Sequence, residues 1–224
     1  MRNLRADTKH KGRRIGSSLV EFALIAPFMV TLLGGSFSIG MGLNRAVQAR
    51  QVVRNANVLQ VRSYDLSNVS NQRLVVRTAQ GLGMELPSPA TPFTPDPNGK
   101  ATVILTTVRR VGPVQCNLGI TNWNQNPTSC PNYGMYVITR RTIIGNTTRW
   151  TSAAGNPGST PQANGTLTDA QVATVTGNQA TGFPAMLQLA LDEYTYMAEM
   201  YVDTNDISMF PIVNPVGIYV RNFS

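Results

Sequence analysis

From Ser17 to Leu43 the chain is an almost unbroken run of apolar and small residues, SSLVEFALIAPFMVTLLGGSFSIGMGL, with one ionisable side chain, Glu21. As a helix, Leu19 to Leu43 rises roughly 37 Å, enough to cross a hydrocarbon core of about 30 Å. So long and uniform an apolar run does not suit the core helix of a small soluble domain. Beyond it the pattern changes. Ala49, Val52, Val53, Ala56 and Leu59 fall on one arc at 100° per residue, with Arg50, Arg54 and Arg62 on the other side. This predicts an amphipathic continuation to Tyr64, about 72 Å of helix counted from Ser17. Its apolar side is expected to rest on the remaining domain. Its arginine side is read as a solvated face, with acidic partners or lipid headgroups as the alternative.

Downstream the period shifts. Asn71–Gly83 reads as a short helix stopped by glycine. Pro87, Pro89, Pro92, Pro95 and Pro97 then impose an extended linker. Strands are expected at Ala101–Val108, Gly134–Ile144, Glu193–Asp203 and Val216–Val220. In the third, Tyr194, Tyr196, Ala198, Met200 and Val202 alternate with Glu193, Thr195, Met197, Glu199, Tyr201 and Asp203. That is the pattern of a half-buried strand whose more polar face is solvated. Residues 145–183, rich in Gly, Asn, Thr, Ser and Ala, read as a surface excursion with a short helix near Thr168–Val175 or Ala185–Leu191. The expected fold is α+β: a long N-terminal membrane-spanning helix packed on a small antiparallel sheet domain with long loops. Its parts are a basic leader (1–16), a transmembrane helix (17–43), an amphipathic helical extension with a short helix (44–86), a Pro-rich linker (87–99) and a β-rich outer domain (100–224).

Charge changes this picture in one respect. The net charge is +8, but Arg2, Arg5, Lys9, Lys11, Arg13 and Arg14 against Asp7 put +5 of it in the first sixteen residues. A basic head before an apolar run, with a near-balanced body after it, speaks for membrane orientation and against nucleic-acid binding. The head is expected in the cytoplasm and the outer domain beyond the membrane. Charged residues make up only 13% of the chain, about half the usual share. There are two cysteines, Cys116 and Cys130, between the first two expected strands. In an oxidising compartment such a pair forms a disulfide, and a two-thiol metal site lacks further ligands. The single histidine, His10, lies in the leader, so the rest of the chain offers no Ser-His or Cys-His pair and no histidine metal site. Neither a phosphate-binding G-x-x-x-x-G-K-[ST] loop nor a G-x-S-x-G nucleophile turn occurs. No catalytic residue, cofactor, metal or small-molecule substrate is expected. The acidic group Asp192, Glu193, Glu199, Asp203 and Asp206 is the one candidate for acid–base chemistry, and Asp203 with Asp206 for a weak Ca²⁺ site.

The junction of head and apolar run is a processing candidate. It is too long for a cleaved secretory signal. Gly16 followed by Ser17-Ser-Leu-Val-Glu21-Phe22 has instead the spacing of a prepilin leader, with Glu as the fifth residue after the cut. Glu21 near the start of a membrane span costs free energy, up to roughly 2.5–3.5 kcal/mol at mid-bilayer, which marks it as a functional candidate. The plainer alternative is a glutamate reaching the cytoplasmic interface. Pro27 removes a backbone hydrogen bond inside the span and is expected to bend it. Gly34/Ser38, Ser36/Gly40 and Ser38/Gly42 have the small-x-x-x-small spacing of close helix approach.

The stretch Arg14-Ile-Gly-Ser-Ser-Leu-Val-Glu-Phe-Ala-Leu-Ile-Ala-Pro27 resembles the N-terminus of TadE-like pseudopilins of tight-adherence pili, the resemblance covering residues 13–56. The resemblance implies cleavage between Gly16 and Ser17 by a prepilin peptidase. It implies retention of the helix, and pairing of Glu21, beside Phe22, with the new α-amine of a neighbouring subunit. It also implies a bacterial inner-membrane subunit in a single pass, whose partners are the membrane and other pilins. The competing expectations are an anchored periplasmic or surface binding protein with no pilus role, and an anchored carboxylate-dependent hydrolase.

Overall fold

A computed structural model describes residues 15–85, 99–146, 148, 150–183, 187–204 and 217–224. The leader up to Arg14 and the Pro-rich stretch 87–98 lie outside them. The first helix, α1 (Ile15–Val61), runs unbroken for 47 residues, about 70 Å. Its only internal proline is Pro27. The chain then turns at Arg62–Asn68 into α2 (Val69–Ala79). Asn68 caps α2 by accepting a hydrogen bond from the Ser70 amide at 2.9 Å. A 3-10 turn, Gln80–Leu82, ends on Gly83 at φ 76°, a left-handed conformation that suits glycine.

Four strands follow: β1 (Ala101–Arg110), β2 (Tyr136–Gly145), β3 (Tyr194–Val202) and β4 (Ile218–Phe223). They form one antiparallel sheet in the order β2-β1-β3-β4. Leu105 sits opposite Thr142 on one side and Ala198 on the other. The register slips between Thr107 and Val108, where β2 carries an extra residue.

Period-2 alternation divides the sheet into two faces. Val103, Leu105, Ile144, Ala198, Met200 and Val202 turn toward the helices. There they meet Ala49, Val52, Val53 and Ala56 of α1, and Val75 and Ala79 of α2. This is the apolar arc expected of α1, and Arg50, Arg54 and Arg62 are exposed as expected. Burying a valine such as Val52 or Val53 contributes about 1.5–3 kcal/mol, so these residues fasten the helix to the sheet.

The opposite face is not solvated. Val108, Ile138 and Met197 are buried there with Ala154 and Ala180, and Glu199 has 0% exposure. The Gly- and Asn-rich excursion after β2 forms a layer over this face, so β3 is buried on both sides over most of its length. The excursion also closes the free edge of β2. The Arg141 amide donates to Gly165 O at 2.8 Å, the Leu167 amide to Thr139 O at 2.8 Å, and the Ala180 amide to Tyr136 O at 2.8 Å. Gly165 adopts φ +78°, and a Cβ there would lie 2.3 Å from Arg141 O. Only glycine fits that approach. The excursion contains α4 (Asp169–Thr174), whose N-cap Thr168 and Gln171 form a capping box. A further short helix, α3 (Pro113–Gly119), starts with Pro at its first turn and has no counterpart in the expectations from sequence.

Candidate functional site

Gly16 and Ser17 lie in the first turn of α1, and Glu21 follows about 7.5 Å along the axis from Gly16. From Leu19 to Val47 the helix touches little of the outer domain. Phe22 is 71% exposed and Phe28 72%, and Leu19, Val20, Leu24, Ile25, Val30, Leu32, Leu33, Phe37 and Leu43 are exposed as well. The most apolar window has a mean hydropathy of 1.9, and none of it is buried. By length and composition α1 can cross a membrane. Two hydroxyls within it bond back to the helix: Thr31 Oγ1 donates to Pro27 O at 2.7 Å and Ser38 Oγ to Gly34 O at 2.9 Å. Both bonds remove hydroxyl donors that lipid would leave unpaired. Around Gly35, Gly40 and Gly42 an added Cβ would meet nothing within 4 Å. The small-residue stripe is therefore open to close approach by another helix.

Cys116 on α3 and Cys130 form a disulfide, with Cα atoms 6.0 Å apart. It closes a loop within the connection between β1 and β2 and sits in a buried cluster with Val111, Trp123, Val137, Val172 and Ala173, which packs that connection against α4.

Of the acidic residues that strand alternation set on one solvated face, Glu193 is exposed but Glu199 and Asp203 are buried. Glu199, expected on a solvated face, accepts hydrogen bonds from the Ala153 amide at 2.9 Å, from Tyr219 Oη at 2.6 Å and from Ser152 Oγ. The burial of Tyr219 and its bond to Glu199 raise the Tyr219 phenol above its ordinary range. Arg141 lies nearby, 6% exposed, and desolvation pushes it down to about 10 while the charge of Glu199 acts in the opposite sense. It therefore stays charged at neutral pH. Asp192 accepts the backbone amides of Gly112, Val114 and Gln115 at 3.0–3.1 Å. Glu193 accepts from the Ala190 amide at 2.7 Å. Asp203 is buried, and Asp206 lies outside the described residues. Among the described residues no group of three or more His, Cys, Asp or Glu is arranged to hold a metal ion.

One concave surface escaped the sequence reading. Where α1 ends, the helix-facing side of the sheet continues as Thr107, Arg109, Arg140, Tyr194 and Tyr196 and lines a cleft of about 410 Å³. The Arg109 guanidinium lies 5.7 Å over the Tyr194 ring and donates to Gln115 Oε1 at 2.5 Å. Arg140 pairs with Asp65 at 2.8 Å. Alternation along β1 and β3 groups these residues on one face, but their openness depends on where α1 stops.

The architecture defines a class: a helix able to span a membrane, continuous with a packed outer α+β domain. Residues 16–56 match the family model of TadE-like proteins. The match covers the apolar run and the first turns of its amphipathic continuation, in line with the resemblance found in the leader junction. No curated protein and no solved structure matches the chain.

Proposed function

We propose that this protein is a non-enzymatic, pilin-like subunit acting in the assembly or function of a tight-adherence pilus. What carries the reading is the exposed apolar helix running without a break into a packed domain, with the TadE-like match lying across that junction. An apolar surface of this extent is stable in lipid or against like helices in a filament. In this reading the basic head stays in the cytoplasm of a bacterial inner membrane, and a prepilin peptidase cuts between Gly16 and Ser17. Glu21 then pairs with the freed amine of a neighbouring subunit. The single pass leaves residues 44–224 in the periplasm or on the surface.

The test combines processing with piliation. N-terminal sequencing of protein from cells should begin at Ser17, and Gly16→Leu should leave the precursor uncut. Glu21→Gln keeps size and polarity but removes the charge that attracts the amine. It should still insert, yet fail to restore pili to a deletion strain counted by electron microscopy. Wild-type piliation of the deletion strain would sink the proposal. The cleft bounded by Arg109, Arg140, Tyr194 and Tyr196 favours a second reading, an anchored binding protein without a pilus role. That reading gains if the deletion leaves pili intact.

A further inference from the structure

The turn at Arg62–Asn68 folds α2 back along α1, and the two helices leave a groove between them. Its lining includes Asn55, Val58 and Leu59 from α1, and Leu74 and Thr78 from α2, around about 290 Å³. Val58 and Leu74 are each 43% exposed, and Val61 beside them 46%. These apolar side chains lie past the membrane-spanning stretch, so lipid does not explain their exposure.

The charged side chains flanking the groove are arginines, two of which, Arg73 and Arg77, also line a neighbouring depression with Glu85. Arg54 and Arg62 stand four residues either side of Val58, on the same stripe of α1. Arg73 adjoins Leu74 and Arg77 follows three residues on. All four are exposed, and none has an ion-pair partner among the described residues. Residues 44–85 hold six arginines against Asp65 and Glu85, whereas residues 99–224 hold seven basic against six acidic side chains. The charge excess of the outer part is therefore concentrated on this helical hairpin.

Distance decides between lipid and protein as the partner. Counted along the helix from Leu43, Arg54 lies about 16 Å and Arg62 about 28 Å from the end of the span. The headgroup layer is roughly 5–8 Å deep, and exposed charges are screened over about 8 Å in physiological salt. The rim thus stands largely beyond reach of anionic headgroups. A second copy of this chain offers a hairpin of the same sign, which repels.

We propose that the α1–α2 groove docks an amphipathic helix of another subunit, with apolar side chains at i, i+3 and i+4 spacing set between Val58 and Leu74, and Asp or Glu flanks facing the arginines. This rests on the proposed topology for the position of the hairpin beyond the membrane.

The test uses the full chain in neutral-lipid nanodiscs. The probe is a synthetic amphipathic helix with Leu along one stripe and Glu elsewhere, and its control has Lys in place of Glu. The Glu helix should bind, with affinity falling at least about tenfold as NaCl rises from about 50 to about 500 mM, and the Lys helix should not. The double variant Arg54→Glu/Arg77→Glu, and separately Val58→Asp, should each weaken binding at least about tenfold. Arg221→Glu, away from the groove, should leave it unchanged, and an intact Cys116–Cys130 disulfide checks folding. In cells, a photoreactive residue at Leu74 should cross-link to an acidic, amphipathic segment of a different protein. Equal binding of both helices, or an adduct only with lipid, only with a second copy, or with nothing, overturns the proposal. The adduct and pilus number are separate readouts. The expected adduct with normal piliation of the deletion strain would remove the pilus reading alone. Lost piliation without an adduct would remove the groove alone.

Discussion

A carboxylate with no exposed surface sits in the middle of β3, and its surroundings show how the outer domain is held. Glu199 takes donors from Ser152 and Ala153 on the covering layer and from Tyr219 on β4. It thus ties three parts of the chain at one point. Hydrogen bonds to a charged group contribute about 1.5–3 kcal/mol, and a buried donor left without an acceptor costs about 1–3 kcal/mol. Glu199→Gln keeps the shape but replaces one acceptor oxygen by a donor, which faces donors already present. The expected result is a loss of about 2 kcal/mol, read as a lower urea midpoint for the full chain in detergent. Glu193→Gln, at an exposed position, should lose less than half of that. Equal midpoints for wild type and Glu199→Gln would show that the carboxylate pins nothing. Asparagines play a comparable part without charge. Asn132 Nδ2 donates to Val172 O at 2.8 Å and Val175 O at 3.0 Å. Asn178 Nδ2 donates to Ser159 Oγ and Gln171 O, both at 3.0 Å. The low charge content and high Asn and Thr content of the chain thus correspond to loops cross-linked by neutral side chains.

Among the elements, the expected strands appear within about two residues of their expected ends, except that β4 is displaced toward the C-terminus, ending at Phe223. The helices divide differently. The amphipathic arc identified the buried face of α1, and Gly83 marked the end of the α2 segment. The α3 helix was missed because seven residues are too few to show a period, although Pro113 after Gly112 is an N-terminal signal. Its Cys116 is joined to Cys130 across 14 positions. Closing a loop of that size stabilises by about 3 kcal/mol on the chain-entropy model. Cys116→Ser/Cys130→Ser should lose about that much and expose the segment between Gly119 and Ser129 to proteases, since Trp123 packs in the same cluster. Limited proteolysis of the intact chain, with and without reductant, checks this. A cleavage rate indifferent to both reduction and substitution would mean that packing alone holds the segment.

At the scale of the molecule, α1 joins two environments: an apolar surface that is exposed among the described residues, and a domain with a packed core. In the proposed topology their sides follow from the charge distribution, because +5 of the net +8 precedes the apolar run. A periplasmic reporter fused after Ser224 should therefore be active, and a cytoplasmic reporter at the same point silent. The reverse pair of activities would invert the proposed topology. The sequence by itself determined the features that depend on local period and composition. These are the membrane-length helix, the arginine and apolar sides of its continuation, four strands and the pairing of the two cysteines. Each follows from neighbours a few residues apart or, for the cysteines, from there being only two. What the tertiary structure decided depends on which distant segment covers which face. Alternation in β3 correctly separated Glu199 from Ala198 and Met200. Alternation cannot tell water from a polar layer, however, and the excursion that buries Glu199 reads as a surface loop because its own residues are polar. The cleft beyond α1 and the groove between α1 and α2 were likewise fixed by where one helix stops and how the next folds back. Those are relations between elements, and no local pattern encodes them.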